Sequence, residues 1–245
     1  MGANGAGKST LIKILARVYQ QTSGDVILNG ENLNKVTPGN IRDHGIEFIF
    51  QELELVPGFT VAQNIMIGIE PRKGGMVDWK KMNEFAQKAL DDFMPGVVDA
   101  TESIDNLSVA KQQLVCIVRA LSRNPKILVL DEPTSRLSAT ETEALFEAIR
   151  RVRTRQEITI IYISHRLEEL FKICDCVTIL RDGVYTGTWP LSEMTQEDIV
   201  YRMVGQVKKS GEHLPPNPEM LAKKSIFDVE HLNLPGVIED VSFHV

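Results

Sequence analysis

Short β-branched runs and longer amphipathic stretches take turns along the chain. Apolar runs at residues 25–28, 46–50, 127–130, 158–163 and 177–180 have the length and composition of strands. Residues 78–93, 109–121, 139–153 and 166–173 instead repeat apolar positions at three- and four-residue intervals, the period of a helix with one buried face. Strands alternating with helices predict an α/β fold with a mostly parallel sheet and flanking helices, because a parallel return requires a crossover. At the start, Leu11, Ile12, Ile14, Leu15 and Val18 are apolar at helical spacing and follow directly on glycine-rich residues, so a glycine loop feeds a helix. Asp182-Gly183, set between 177–180 and 184–188, predicts a β-hairpin edge. Residues 194–204 predict a helix with Thr195 as N-cap and Glu197 and Asp198 in the first turn, where acids complement the helix dipole.

Beyond that helix the pattern lapses. Residues 206–225 hold Ser210-Gly211 and Pro215-Pro-Asn-Pro218 with lysines at both ends, a linker composition. Residues 226–245 supply two short strand patterns around Pro235-Gly236, too little for a domain, and read as the start of a second unit. A glycine loop of the opening's kind ordinarily follows a buried strand, and only Met1 precedes it. The expectation is an excerpt of a longer protein: a first domain at 1–205, a linker at 206–225, and the beginning of another domain.

Composition narrows the class. With 245 residues, 43% hydrophobic and 24% charged, the chain can bury a sizeable core, which excludes disorder throughout. A formal charge of -6 argues against nucleic acid as a partner, since polyanion-binding domains carry a basic excess. Cys116, Cys174 and Cys176 are too few for a disulfide framework and have no matching Cys/His pair for zinc, so a reducing compartment is the default. No apolar run approaches the ~20 residues of a membrane-spanning helix, and no signal-peptide pattern opens the chain.

The candidate chemistry begins in that opening. Gly2-x-x-x-x-Gly7-Lys8-Ser9 fits the phosphate-loop pattern. Gly2, Ala3, Asn4, Gly5, Ala6 and Gly7 would turn backbone N–H groups toward a nucleotide's β-phosphate, Lys8 would neutralise β/γ charge, and Ser9, followed by Thr10, would ligate magnesium. The second element is the strand at 127–130 closed by Asp131-Glu132-Pro133. Acids at the C-terminal end of a buried strand stand where α/β proteins hold ligands. Asp131 would hold magnesium through water, and Glu132 would orient and deprotonate an attacking water. By itself such a pair also fits a solvated turn; the phosphate loop favours the chemical reading.

These elements, in this order and spacing, resemble an ABC-type ATPase domain. Phe50-Gln51-Glu52 is similar to that family's glutamine loop, Leu107-Ser-Val-Ala-Lys-Gln-Gln113 to its signature motif, and Ile163-Ser-His165 to its switch histidine. The resemblance implies a P-loop NTPase fold with a helical subdomain at about 52–123. It also implies a head-to-tail pair of domains, in which Ser108, Val109, Ala110 and Lys111 of one close over ATP held by the other. Gln51 would join Ser9 and Asp131 at magnesium, and His165 would sense the γ-phosphate. Standing alone, Gln51 fits a surface amide, Ser108 a plain helix cap and His165 an ordinary loop residue. The likeness departs from the family's usual pattern at Ala110, where glycine is common, at Lys111, where glutamine is common, and at Thr134-Ser-Arg-Leu-Ser138, which lacks a terminal aspartate.

Within the class, the resemblance is to the tandem-domain ATPases of monosaccharide import. Its carriers are Asn4-Gly-Ala-Gly-Lys-Ser-Thr-Leu-Ile-Lys-Ile-Leu15, Tyr162-Ile-Ser-His-Arg-Leu-Glu-Glu169, Val177-Thr-Ile-Leu-Arg-Asp-Gly183 and Asp198-Ile-Val-Tyr-Arg-Met-Val-Gly205. It implies an ATP-hydrolysing subunit at the cytoplasmic face of the membrane, working with a second ATPase domain, an integral sugar permease and, indirectly, an extracytoplasmic sugar-binding protein. A soluble ATPase acting on ribosomes or DNA is the rival. Those kinds would be expected to carry a long basic interdomain helix pair or a coiled coil, whereas here the linker is short and no heptad run separates Ser9 from Ser108. A second rival is a non-catalytic fragment, with sheet hydrogen bonds left open beside the phosphate loop.

Overall fold

The computed structural model describes residues 1–93, 95–155, 158–205, 228–234 and 238–244, which fall into two compact units, Met1–Gly205 and Gln206–Val245. In chain order the first unit contains α1 (Lys8–Leu15), β1 (Ile27–Leu28), β2 (Glu31–Asn32), β3 (Ile46–Ile49), α2 (Val61–Met66), β4 (Arg72–Lys73), β5 (Met76–Val77) and α3 (Trp79–Phe93). It continues through α4 (Val109–Leu121), β6 (Ile127–Asp131), α5 (Ala139–Arg155), β7 (Thr159–Ile163), α6 (Leu167–Ile173), β8 (Cys176–Arg181), β9 (Val184–Pro190) and α7 (Gln196–Val204). In the second unit, β10 (Asp228–Leu234) and β11 (Ile238–His244) form an antiparallel pair. The linker expected at 206–225 lies outside the described residues.

The centre of the first unit is a parallel sheet in the order β3-β6-β7, with Leu128 opposite Glu47 and Ile160. Its middle strand is buried on both faces because successive side chains point opposite ways. Leu128 and Leu130 enter a large apolar cluster with Val61, Ile65, Leu90, Val115, Ile117 and Leu145, while Val129 meets Ile12, Leu33, Ile41, Ile46 and Ile163 on the other side. Helices therefore cover both faces, as the alternation in sequence required. In α3 the stripe Met82, Ala86, Leu90 and Phe93 is buried at intervals of three and four. Fully burying side chains of the size of Leu or Phe stabilises by roughly 1.5–3 kcal/mol each.

Several expected elements change length. The strand expected at 25–28 shrinks to Ile27–Leu28, because Asn34 captures the preceding backbone: its Oδ1 accepts from the Val26 N–H at 3.0 Å, and its Nδ2 donates to Asp25 at 2.6 Å. The hairpin expected at Asp182-Gly183 forms, with φ of 51° and 78° at the two turn residues, the left-handed pair of a type I′ turn. The cap expected at Thr195 also forms, reciprocated by Asp198.

β7 is the last strand of the parallel sheet, and Ile161 on it stays 37% exposed. Between β7 and β8 runs an apolar groove of about 660 Å³, lined by Ile160, Ile161, Leu170, Val177 and Leu180 and reaching Lys8 and Leu11 beside the phosphate loop. Met1 lies along β8: its N donates to Thr178 O at 2.7 Å, and Leu180 N donates to Met1 O at 2.9 Å.

Candidate functional site

The opening loop is shaped by its glycines. A Cβ on Gly2 would stand 2.5 Å from the Leu180 carbonyl oxygen, so only glycine lets the loop pass this close to β8. Gly7 takes φ 91° as the residue before α1, and the helix begins with no side-chain cap and no acid in its first turn. The first amides of α1 are thus left to an external acceptor, the arrangement that attracts an anion. Lys8 folds back, its Nζ donating to the carbonyls of Gly2 at 2.7 Å and Ala3 at 2.9 Å, which poises the ammonium inside the loop. Ala3, Asn4, Gly5, Ser9 and Thr10 face solvent, whereas Ala6 is buried.

The acidic pair stands at the end of β6. Asp131 is 8% exposed, and its carboxyl is pushed above the usual aspartate range by burial first and by the Glu132 charge second, against a downward pull from Lys8 and Lys13. Glu132 has φ 48°, an uncommon conformation for a residue with a Cβ, and its N–H donates to Ile163 O at 2.9 Å. Strand β7 thereby carries His165 to the same corner, where His165 Nδ1 lies 3.2 Å from Glu132 Oε1. Strand-tip acid and histidine thus meet from separate parts of the chain, and the Lys8 charge acts on Asp131 from the phosphate loop.

The remaining expected residues stand just past β3, whose Ile49 pairs with Leu130 of β6, and at the start of α4. Gln51 is exposed just past β3. Ser108 caps α4, its Oγ accepting from the Lys111 N–H at 3.3 Å; Val109 is exposed and Ala110 is packed into the main core. Among the described residues, no hydrogen bond or ion pair joins Ser108, Val109, Ala110 or Lys111 to the loop at 2–10. Ser138, where the likeness lacked an aspartate, caps α5 in exchange with Glu141.

Sequence reasoning passed over Glu169. This α6 carboxylate is 5% exposed and accepts from Thr134, Tyr162, Ser164 and Arg166. The signal was present but ambiguous: Glu168 and Glu169 are neighbours, and only helix phase relative to Leu170 turns the second one inward.

A magnesium ion fits this donor set. Among the described residues no cluster of three or more His, Cys, Asp or Glu could hold a metal by itself. A buried, incompletely compensated carboxylate beside a phosphate loop matches the way magnesium binds, through one or two carboxylates with substrate phosphates and water.

Comparison with known proteins gives the family. The ribose import ATP-binding protein RbsA of Geobacillus kaustophilus is 40% identical over 247 aligned positions, covering 100% of this chain and 49% of that protein. A putative ribose/galactose/methyl galactoside import ATP-binding protein of Agrobacterium fabrum is 43% identical, covering 99% of this chain and 47% of that protein. The chain thus spans about half the length of these curated relatives. Among solved structures, the dimeric ATP-binding cassette MJ0796 in a post-hydrolysis state with ADP and Pi superposes with a TM-score of 0.67 at 25% identity, over 78% of this chain and 83% of that one. MJ1267, an ATP-binding cassette of an ABC transporter, gives 0.68 at 25% identity, over 82% of this chain and 81% of that one. The family pattern described as ABC transporter matches residues 1–135, spanning the phosphate loop, the signature segment and the strand-tip acids, and on that match this chain belongs to the ABC transporter family.

Proposed function

We propose that this chain supplies an ATP-hydrolysing domain of a monosaccharide importer, with residues 1–205 as that domain and 226–245 opening a second. The observation that carries the proposal is the contact between Glu132 and His165 beside the buried Asp131, in a family whose relatives named above are ribose and galactose import proteins. Lys8 and the amides at 2–10 bind the triphosphate. Ser9, Gln51 and Asp131 would hold magnesium, which supplies charge neutralisation at the phosphates when bound. Glu132 orients the attacking water and accepts its proton, and His165 donates a hydrogen bond to the group being transferred.

Ser108, Val109, Ala110 and Lys111, which among the described residues make no hydrogen bond to the loop at 2–10, would act on nucleotide held by a partner domain, as the family likeness implies. An exposed Val109 at the start of α4 leaves that helix end free to approach one. The remaining partners are an integral sugar permease and, through it, an extracytoplasmic binding protein. Among the described residues no helix is long and apolar enough to cross a membrane. The domain would meet the permease at the cytoplasmic face, the side on which ATP is available. Glu132→Gln in the full protein tests the assignment: Mg-ATP still binds, measured by equilibrium titration, and steady-state phosphate release stops. Phosphate release at the unmodified rate overturns it.

A further inference from the structure

Glu169 connects the two turns that carry the candidate catalytic pair. Thr134, two residues past Glu132, donates its hydroxyl to both carboxylate oxygens of Glu169 at 2.8 and 3.0 Å. Ser164, immediately before His165, donates at 2.7 Å, and its oxygen accepts the Arg166 N–H at 3.0 Å, so the backbone on both sides of His165 is tied to one point. Tyr162 donates from β7 at 2.8 Å, and the Arg166 guanidinium approaches from the exposed side at 3.4 Å. Thr134 and Ser164 are each only 2% exposed, so water does not substitute for these bonds.

A buried carboxylate is costly unless its acceptors are filled. Filling a core would not require one, since apolar side chains of similar volume do so without that cost. Here every donor comes from the turn after Glu132, from β7 or from the turn around His165, and the Glu132 backbone conformation at φ 48° needs outside restraint to persist. We infer that Glu169 is a positioning residue, which holds the Glu132 turn and the His165 turn at the separation that water activation requires. The inference rests on the assignment of Glu132 and His165 to hydrolysis.

The test is Glu169→Gln in the full protein, which keeps the shape but turns an amide N–H₂ toward hydroxyls that now donate. Catalytic positioning predicts a kcat lower by roughly 10–100-fold with KM for Mg-ATP within about threefold, because small displacements act on the reacting geometry rather than on binding. On a His165→Ala background the same change lowers kcat by less than about threefold, since the pair it aligns is already broken. Equal losses on both backgrounds, or no loss, overturn the inference. If Glu169→Gln fails to fold, Thr134→Val with Ser164→Ala cuts the two links separately and carries the same expectations. A readout independent of turnover keeps the two assignments distinct: the imidazole NMR signals of His165 move in Glu169→Gln as they do in Glu132→Gln, while those of His44 stay put. Unmoved His165 signals overturn the positioning role even in a protein that hydrolyses no ATP, whereas moved signals without hydrolysis overturn the function alone.

Discussion

At the scale of single residues, the site is a set of polar groups placed where the fold penalises them. Asp131 shows the consequence most directly. Burial and Glu132 raise its folded pKa above the unfolded value, so the folded state holds this proton more tightly than the unfolded chain does. Its contribution to stability is therefore most favourable below the unfolded pKa and is lost as pH rises through the window between the two values. Above that window a charged, half-compensated carboxylate remains, which a divalent cation would relieve. Asp131→Asn should raise the thermal midpoint of the nucleotide-free protein at neutral pH, leave it unchanged at pH near 3, and weaken Mg-ATP binding. A lower midpoint at neutral pH would show that the carboxylate is stabilising without metal.

At the scale of elements, α4 and the turn after it are fastened to β3 and to the segment past Gln51 by charge as well as by apolar packing. Arg123 donates to the Ile67 carbonyl at 2.7 Å and lies 3.6 Å from Glu47, whose other partner is Arg42 at 3.3 Å; Arg119 donates to the Glu54 carbonyl. Burial raises the pKa of Glu47 in spite of these arginines, which marks the pair as one whose desolvation is only partly offset. Arg123→Met should destabilise by roughly 1–3 kcal/mol in urea unfolding at neutral pH, because the buried Glu47 keeps only Arg42 and the Ile67 carbonyl loses its donor. Adding Glu47→Gln should recover most of the loss. A double variant no more stable than the single would mean that the arginine acts through packing alone.

At the scale of the whole molecule, nucleotide is expected to act as a clamp across the sheet. The phosphate loop touches β8, the acids end β6, and His165 follows β7, so a bound triphosphate ties three strands, two of which, β7 and β8, otherwise border a groove. Ligand at 100 times its Kd adds about 2.7 kcal/mol to the stability of the state that binds it. For a unit of this size that corresponds to a rise in Tm of roughly 5–11 °C. Mg-ATP should produce such a rise in a thermal melt, and Lys8→Ala should remove it. A shift that survives Lys8→Ala would put the nucleotide elsewhere.

Much of this was legible from local pattern. The positions of β6, α3, α4 and the Asp182-Gly183 turn follow from side-chain period and backbone preference, which depend on near neighbours. The phosphate loop and the strand-tip acids were legible for the same reason, as was the cap at Ser108. The α2 helix was missed because six residues give no period, although Thr60 and Gln63 spell its capping box. Local pattern stops where partners lie far apart in sequence. That Glu132 meets His165, that Asp131 is buried against its own charge, and that Glu169 rather than Glu168 gathers Thr134, Tyr162 and Ser164 were decided when β6, β7 and α6 packed together. Sequence alone determined which groups were available and on which elements they stood. Only the tertiary structure decided which of them share a low-dielectric corner, because burial and distance between remote segments are properties of packing and not of any one segment.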